Sequence, residues 1–240
     1  MHSACPVTGA EFDGRGRLSA VLTPRGPLSA DRYIDATNAW SPRLSRLLGA
    51  TDLPISPLKR YLWILERAGS LSPADLTALP LIIGPHGAYC RPENAGSLLV
   101  GKAHDATPEP AFTYEDQDRV DPAFFHRSGT DTAGYHAWME LAEILPALGE
   151  FAGITATTSG FYGTTPDHNP FLDADPAQPD LIRLAGFSGH GAMFGPFTAL
   201  VGEHLAAGEP VTLEGQGGQP VDLSGFRIGR SFAGGEHLVI

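Results

Sequence analysis

Gly186-Phe187-Ser188-Gly189-His190-Gly191-Ala192-Met193-Phe194-Gly195-Pro196 is the stretch that most restricts how this chain can fold. Gly186, Gly189 and Gly191 carry no Cβ and can take positive φ, so their amides can approach a flat ligand where any other residue would clash. Leu184 and Ala185 read as the end of a strand, and Phe197, Leu200, Val201 and Leu205 recur at helical spacing, so the glycines occupy a strand-to-helix turn. Pro196 suits the first helical turn, and Gly208 follows the last periodic residue as a stop signal. The helix start, with unpaired amides and the positive end of its dipole, favours negative charge beside it. A tight strand-helix connection without a ligand would use the same glycines.

Composition limits the partners. Hydrophobic residues make up 42% and charged residues 18% of the 240 positions, which suits one compact unit or two closely packed ones rather than a disordered chain. A net charge of −11 argues against nucleic acid and anionic membrane, because both need clustered Lys and Arg. Cys5 and Cys90 are too few for a disulfide framework and suit a reducing compartment. No apolar run reaches the length of a membrane span, and Met1–Cys5 lacks the basic start and apolar core of a signal peptide; the cytoplasm is the expected location.

Along the chain, residues 7–37 read as a β-meander that turns at Asp13–Gly16 and Pro24–Pro27 and ends in a strand over Ala30–Ala36. Small residues Ala36-Thr37-Asn38-Ala39 then precede a helix opened by Ser41-Pro42. Residues 54–160 form a second region, with strands near 58–66, 80–84, 87–92 and 97–102 and an amphipathic helix over about 134–148. Its Trp138, Leu141, Leu145 and Leu148 form a core-facing stripe. Residues 105–133 are polar and read as a solvated excursion, and 209–222 as a Gly-rich loop.

Gly160-Phe161-Tyr162-Gly163-Thr164-Thr165-Pro166-Asp167-His168-Asn169-Pro170 and the glycine turn together resemble the C-terminal end of the FAD-dependent amine and amino-acid oxidoreductases. That is the family of D-amino-acid oxidase, glycine oxidase, sarcosine oxidase and dimethylglycine dehydrogenase. Further segments agree in order: Ala20-Val21 with Thr23 and Gly26; Ile34–Ser41; Leu53-Pro54-Ile55 with Pro57–Arg60; and Tyr89–Glu93 ahead of Leu98–Gly101. The family's Gly-x-Gly-x-x-Gly fingerprint for the ADP half of FAD occurs nowhere in these residues. The expectation is therefore a C-terminal portion: a split or truncated gene product, a product of a misplaced start codon, or a subunit whose partner chain supplies the nucleotide half. The fold expected is α+β: a mixed, largely antiparallel substrate-domain sheet with flanking helices, plus the meander and strand-helix of an incomplete FAD-binding domain. The expected boundaries are 1–50 (partial FAD-binding), 51–160 (substrate domain), 161–208 (FAD-binding strand-turn-helix) and 209–240 (tail).

The resemblance implies non-covalent FAD, since Gly160 stands where some relatives attach flavin through cysteine. Ala36, Thr37, Asn38 and Trp40 would lie by the diphosphate, where the family usually has Gly in place of Asn38; Gly186, Gly189, His190, Gly191, Ala192 and Met193 would follow the flavin's edge. Hydride transfer to flavin needs orientation and charge stabilisation rather than a nucleophile. His190 is the first catalytic candidate. Tyr162 replaces an Arg that clamps the substrate carboxylate in glycine-oxidase-like relatives; Tyr89 and Arg91, two apart on one strand face, could compensate. His104 matches a histidine near the flavin. Sarcosine-oxidising relatives have Lys at Met193, so sarcosine itself is a poorer fit. The expected substrate is a small amine or amino acid.

Other chemistries fit less well. Gly186-Phe187-Ser188-Gly189-His190 misses the nucleophile elbow because His190 stands where glycine is required. His86, Cys90 and His104 have no metal-binding spacing, so no metal is expected. The competing reading is a non-catalytic remnant or interaction subunit that does not bind FAD alone.

Overall fold

A computed structural model describes residues 2–67, 70–102, 132–215 and 217–232. The fold is mixed α+β, and the chain divides into two compact units. One comprises residues up to Pro57 and from Tyr162 onward; the other is Leu58–Phe161. Among the described residues no helix is long and apolar enough to cross a membrane.

The first unit begins with the antiparallel strands β1 (Gly9–Phe12), β2 (Leu18–Thr23) and β3 (Gly26–Leu28). The Asp13 carboxylate accepts the amides of Arg15 and Arg17 at 2.9 Å each, and so closes the first turn. β4 (Tyr33–Asp35) leaves this meander, contrary to the expectation that 7–37 form one sheet. It pairs in parallel with β11 (Leu181–Ala185), which also pairs antiparallel with β10 (Phe171–Ala174). The reason is burial: all five residues of β11 are buried, and a central strand needs a neighbour on each edge to satisfy its backbone groups.

Helix α1 (Ser41–Leu48) follows the 3-10 turn Asn38–Trp40, with Pro42 in its first turn and Gly49 at φ 58° closing it. Helix α4 (Gly191–Ala207) ends at Gly208, φ 71°, as expected from the sequence. Val201 of α4 packs with Leu172, Ile182 and Leu184, joined by Phe197 and Leu205, while Leu200 faces solvent at 49% exposure. Pro196 sits inside α4 and not in its first turn, because the helix already begins at Gly191. A proline there has no N–H for the carbonyl of Ala192. After α4, Val211, Leu213, Leu223 and Phe226 pack against the same cluster.

In the second unit, β5 (Ser56–Glu66), β6 (Ile82–Ile83), β7 (Ala88–Asn94), β8 (Ser97–Lys102) and β9 (Gly153–Thr164) form a sheet in the order β6-β7-β8-β5-β9. Of its pairings, β6–β7, β7–β8 and β5–β8 are antiparallel. Alternation along β5 buries Tyr61, Trp63 and Leu65 on one face; with Leu98, Val100 and Leu141 they form the core. Each such side chain contributes roughly 1.5–3 kcal/mol on leaving water.

Helix α2 (Pro73–Ala78) starts with a capping box between Ser72 and Asp75. Helix α3 (Ala133–Ile144) is capped by Thr132 and stops earlier than the sequence pattern predicts. Pro146 disfavours helical backbone at Leu145, whose φ and ψ are −131° and 96°, and a 3-10 turn over Pro146–Glu150 carries Leu148 into the core. The buried Glu140 of α3 accepts the amides of His86 and Ala88 and the Lys102 ammonium, at 2.8, 3.2 and 2.8 Å. Burial pushes its carboxyl up, but Lys102 and the two amides outweigh this, and the group ends below the usual carboxylate range.

Candidate functional site

Two turns of the first unit are built against each other. The first begins where β4 ends at Asp35, whose buried carboxylate accepts the Thr37 amide (2.9 Å), the Thr37 hydroxyl (2.6 Å) and the Ser41 hydroxyl (2.5 Å). Opposite it in the parallel register is Arg183 of β11, fully buried. Its guanidinium reaches Asp35 at 3.0 Å, Asp175 at 2.7 Å, and the hydroxyls of Ser41 and Ser45 at 2.7 and 2.6 Å. Sequence patterns do not assign this cluster. Its only signal is an arginine in the middle of an apolar strand, and a buried charge requires full pairing.

Asn38 joins this turn to the second. Its backbone sits at φ 50°, and its Oδ1 accepts the amides of Gly186 and Phe187 at 3.0 and 3.1 Å. Two converging N–H donors can be received only by the amide oxygen, which fixes the side-chain orientation. A Cβ on Gly163 would lie 2.6 Å from Asn38 Oδ1, and one on Gly186 would lie 2.6 Å from Thr165 Cγ2, so glycine is required at both places. Buried Ser188 completes the knot. Its amide donates to the Gly163 carbonyl at 2.9 Å, and its Oγ accepts the Thr165 amide at 3.2 Å.

Of the three glycines expected to use positive φ, Gly186 (86°) and Gly189 (96°) do so; Gly191 is instead the first residue of α4, and Ser188 takes the third left-handed position at 50°. His190 is the N-cap of α4 and is buried, and its carbonyl receives the amides of Met193 and Phe194, at 3.0 Å each. No side chain caps this helix start. Ala192 and Met193 stand exposed beside it, Met193 at 66%. The Gly191 and Ala192 amides, first in the helix, have no partner within it and stand at the positive end of its dipole.

The other sequence-selected residues are placed as follows. Ala36 and Thr37 are exposed and Trp40 half-buried; Thr37 and Trp40 line a groove of about 830 Å³ with Val7, Arg43, Leu44 and Leu47. Tyr162, on β9, is half-buried, and nothing lies within 4 Å of where a Cβ on Gly160 would stand. Tyr89 and Arg91 belong to the second unit. They share a face of β7, opposite the buried Ala88 and Cys90. The Tyr89 ring fills the space a Cβ on Gly101 would take, and Arg91 is exposed and paired with Glu93 at 2.9 Å. His104 lies outside the described residues. Burial pushes the Cys90 thiol up to about 11, so it is not a nucleophile. Among the described residues no group of three or more His, Cys, Asp or Glu is placed to hold a metal.

The fold and this site define a class: an α+β protein whose glycine turn presents an uncapped helix start next to a second small-residue turn, a geometry suited to an anionic or electron-accepting ring. Comparison with known proteins narrows it. The FAD dependent oxidoreductase family model matches residues 1–206. The chain is 26% identical over 212 residues to the glycine oxidase of Pseudomonas putida, covering 88% of this chain and 51% of that protein. It is 25% identical over 230 residues to the N-methyl-L-tryptophan oxidase of Salmonella arizonae, covering 94% and 54%. Among solved structures, the glycine oxidase of Geobacillus kaustophilus superposes with a TM-score of 0.71 at 21% identity, over 96% of this chain and 53% of that one. The chain therefore belongs to the FAD dependent oxidoreductase family, and spans about half the length of the curated relatives it matches.

FAD is the cofactor of that family, and the residues present fit its flavin end. Gly189 keeps exposed backbone at the turn, the helix start is free of a capping side chain, and Gly160 offers no thiol for covalent attachment.

Proposed function

We propose that this chain forms the flavin-edge and substrate-side part of an FAD-dependent oxidoreductase that oxidises the C–N bond of an amine or amino acid. The observation that carries the reading is the uncapped start of α4, tied through Asn38 to the Ala36–Trp40 turn. When bound, FAD supplies the hydride acceptor. His190, Gly191, Ala192 and Met193 would follow its pyrimidine edge, where the amides of Gly191 and Ala192, which the helix does not engage, would stabilise negative charge from a preorganised position. Ala36, Thr37, Asn38 and Trp40 form the wall toward the diphosphate. Tyr162, Tyr89, Arg91 and His104 are the candidates that orient substrate, with Arg91 the donor suited to a carboxylate.

The relatives' names, glycine oxidase and N-methyl-L-tryptophan oxidase, support an amino-acid substrate. The reading includes a segment for the ADP portion of FAD, on this or another polypeptide, and a cytoplasmic location. The outer edge of β4, with Ile34 at 54% exposure, offers that segment a strand to pair with. The test is spectroscopic: purified protein, alone and with a nucleotide-binding partner, is titrated with FAD and then given a secondary or D-amino acid without oxygen. Uptake of FAD followed by bleaching is expected. Protein that takes up no flavin in either form refutes the reading and favours the interaction-subunit alternative, for which the exposed Met193 and Leu200 on α4 speak.

A further inference from the structure

The segment after α4 closes on a single arginine. Arg230 has a side chain only 3% exposed, and all five of its N–H donors are engaged. Nε and Nη2 grip Asp167 at 2.7 and 2.9 Å, Nη2 also donates to the Asn169 carbonyl at 2.6 Å, and Nη1 donates to the carbonyls of Pro170 and Arg227 at 3.3 and 3.4 Å. The guanidinium lies 4.0 Å over the ring of Phe171. What it grips is a strained loop, because His168 between these partners has φ 60°. Such backbone persists only where its surroundings over-determine it.

The gripped loop is wired to the glycine turn. The Asn169 carbonyl that receives Arg230 also receives the hydroxyl of Thr165, at 2.9 Å. The Thr165 amide donates to Ser188 Oγ, and the Thr165 methyl lies where a Cβ on Gly186 would stand. Ser188 then holds Gly163, and the Phe187 carbonyl receives the amide of His190, the cap of α4. The side chain of neighbouring Arg227 has no part in this relay: it pairs with Asp173 at 2.7 Å and is 46% exposed.

We infer that Arg230 is a positioning residue for the glycine turn: through Asn169, Thr165 and Ser188 it fixes the turn at 186–189 and with it the start of α4, whose Gly191 and Ala192 amides face the flavin. The flavin part of this inference rests on the function proposed above; the coupling to the turn does not. The test compares Arg230→Ala and Thr165→Val with Arg227→Ala in the full chain, by amide hydrogen exchange and by FAD titration. Arg230→Ala is expected to speed exchange at Phe187 and Ser188 and to weaken FAD binding, each about tenfold, the scale of one lost charge-assisted hydrogen bond, and Thr165→Val to do both about fivefold, the scale of one neutral hydrogen bond. Arg227→Ala is expected to change neither. Faster exchange confined to 165–171 and 223–232, with the turn as protected as in the parent, overturns the inference, as does an unaltered turn in Thr165→Val should Arg230→Ala fail to fold. A parent protein that binds no FAD sinks the flavin reading alone, since the exchange comparison still decides the coupling.

Discussion

Replacing Asn38 separates three effects that the structure places on one side chain: the two hydrogen bonds, the left-handed backbone and the absence of charge. Asn38→Ala leaves the amides of Gly186 and Phe187 without their acceptor. Fully buried, each would cost about 1–3 kcal/mol, and partial access of water at this half-buried position brings the pair to roughly 1–3 kcal/mol. Alanine at φ 50° adds about 1 kcal/mol of steric cost, for a total of roughly 2–4 kcal/mol. Asn38→Gly loses the same bonds without the steric cost, so it should be about 1 kcal/mol milder than alanine. Asn38→Asp keeps an acceptor and makes it stronger, so stability near neutral pH should hold or rise.

With Asn38 beside the diphosphate, as proposed, the aspartate would weaken FAD binding: a unit charge about 8 Å from a bound anion would cost roughly 2 kcal/mol at an effective dielectric of about 20, about thirtyfold in affinity. Urea denaturation at a common m-value gives the stabilities, and FAD titration gives the affinities. Alanine and glycine variants within about 0.5 kcal/mol of the parent would refute the role of the two Asn38 hydrogen bonds, a difference no larger than surface substitutions commonly show. An aspartate variant as unstable as alanine would refute the assignment of Oδ1 as acceptor.

Arg183→Met strands the Asp35 and Asp175 carboxylates in the interior and should cost about 3–5 kcal/mol, lowering the melting temperature by roughly 10 °C or more; a drop of about 2 °C would show that the cluster is hydrated. Glu140 is held below its unfolded value, so its contribution is fully present above the unfolded carboxyl pKa and is lost as pH falls through the folded one. Glu140→Gln should therefore melt earlier than the parent at about pH 7 and together with it at about pH 2, around an unfolded glutamate value of about 4.3; an equal gap at both values contradicts the assignment. With its thiol pushed up to about 11 and its side chain buried, Cys90 should resist a thiol reagent in native buffer while the more accessible Cys5 reacts; two fast-reacting thiols before denaturation would contradict this.

What the sequence reveals and what it hides follow from the range of the interactions. The strand-to-helix turn at 186–191, the core-facing Leu141 of α3 and the glycine stop at Gly208 depend on neighbours a few residues away, so period and glycine placement are enough to find them. Alternation over Tyr33–Asp35 shows a strand but not its partner. That partner, β11, comes far later in the chain, and it is the Arg183–Asp35 pairing across the parallel register that makes each charge tolerable there.

The start of α4 has a similar origin. Glycines at 189, 191 and 195 leave several places for the helix to begin, and Pro196 taken alone points to the latest of them. The bond from the His190 amide to the Phe187 carbonyl sets the earlier one.

The candidate site divides along the same line. Its bare backbone is written in glycines. Its two left-handed non-glycine positions, Asn38 and Ser188, are where a rule favouring glycine names the right conformation and the wrong residue. Each keeps a side chain at a steric cost because its oxygen accepts amides from another segment, as no glycine can: Gly186 and Phe187 for Asn38, Thr165 for Ser188. Those partners are brought close only by the fold, so the residues that hold the turn in place are legible only after the chain has closed on itself.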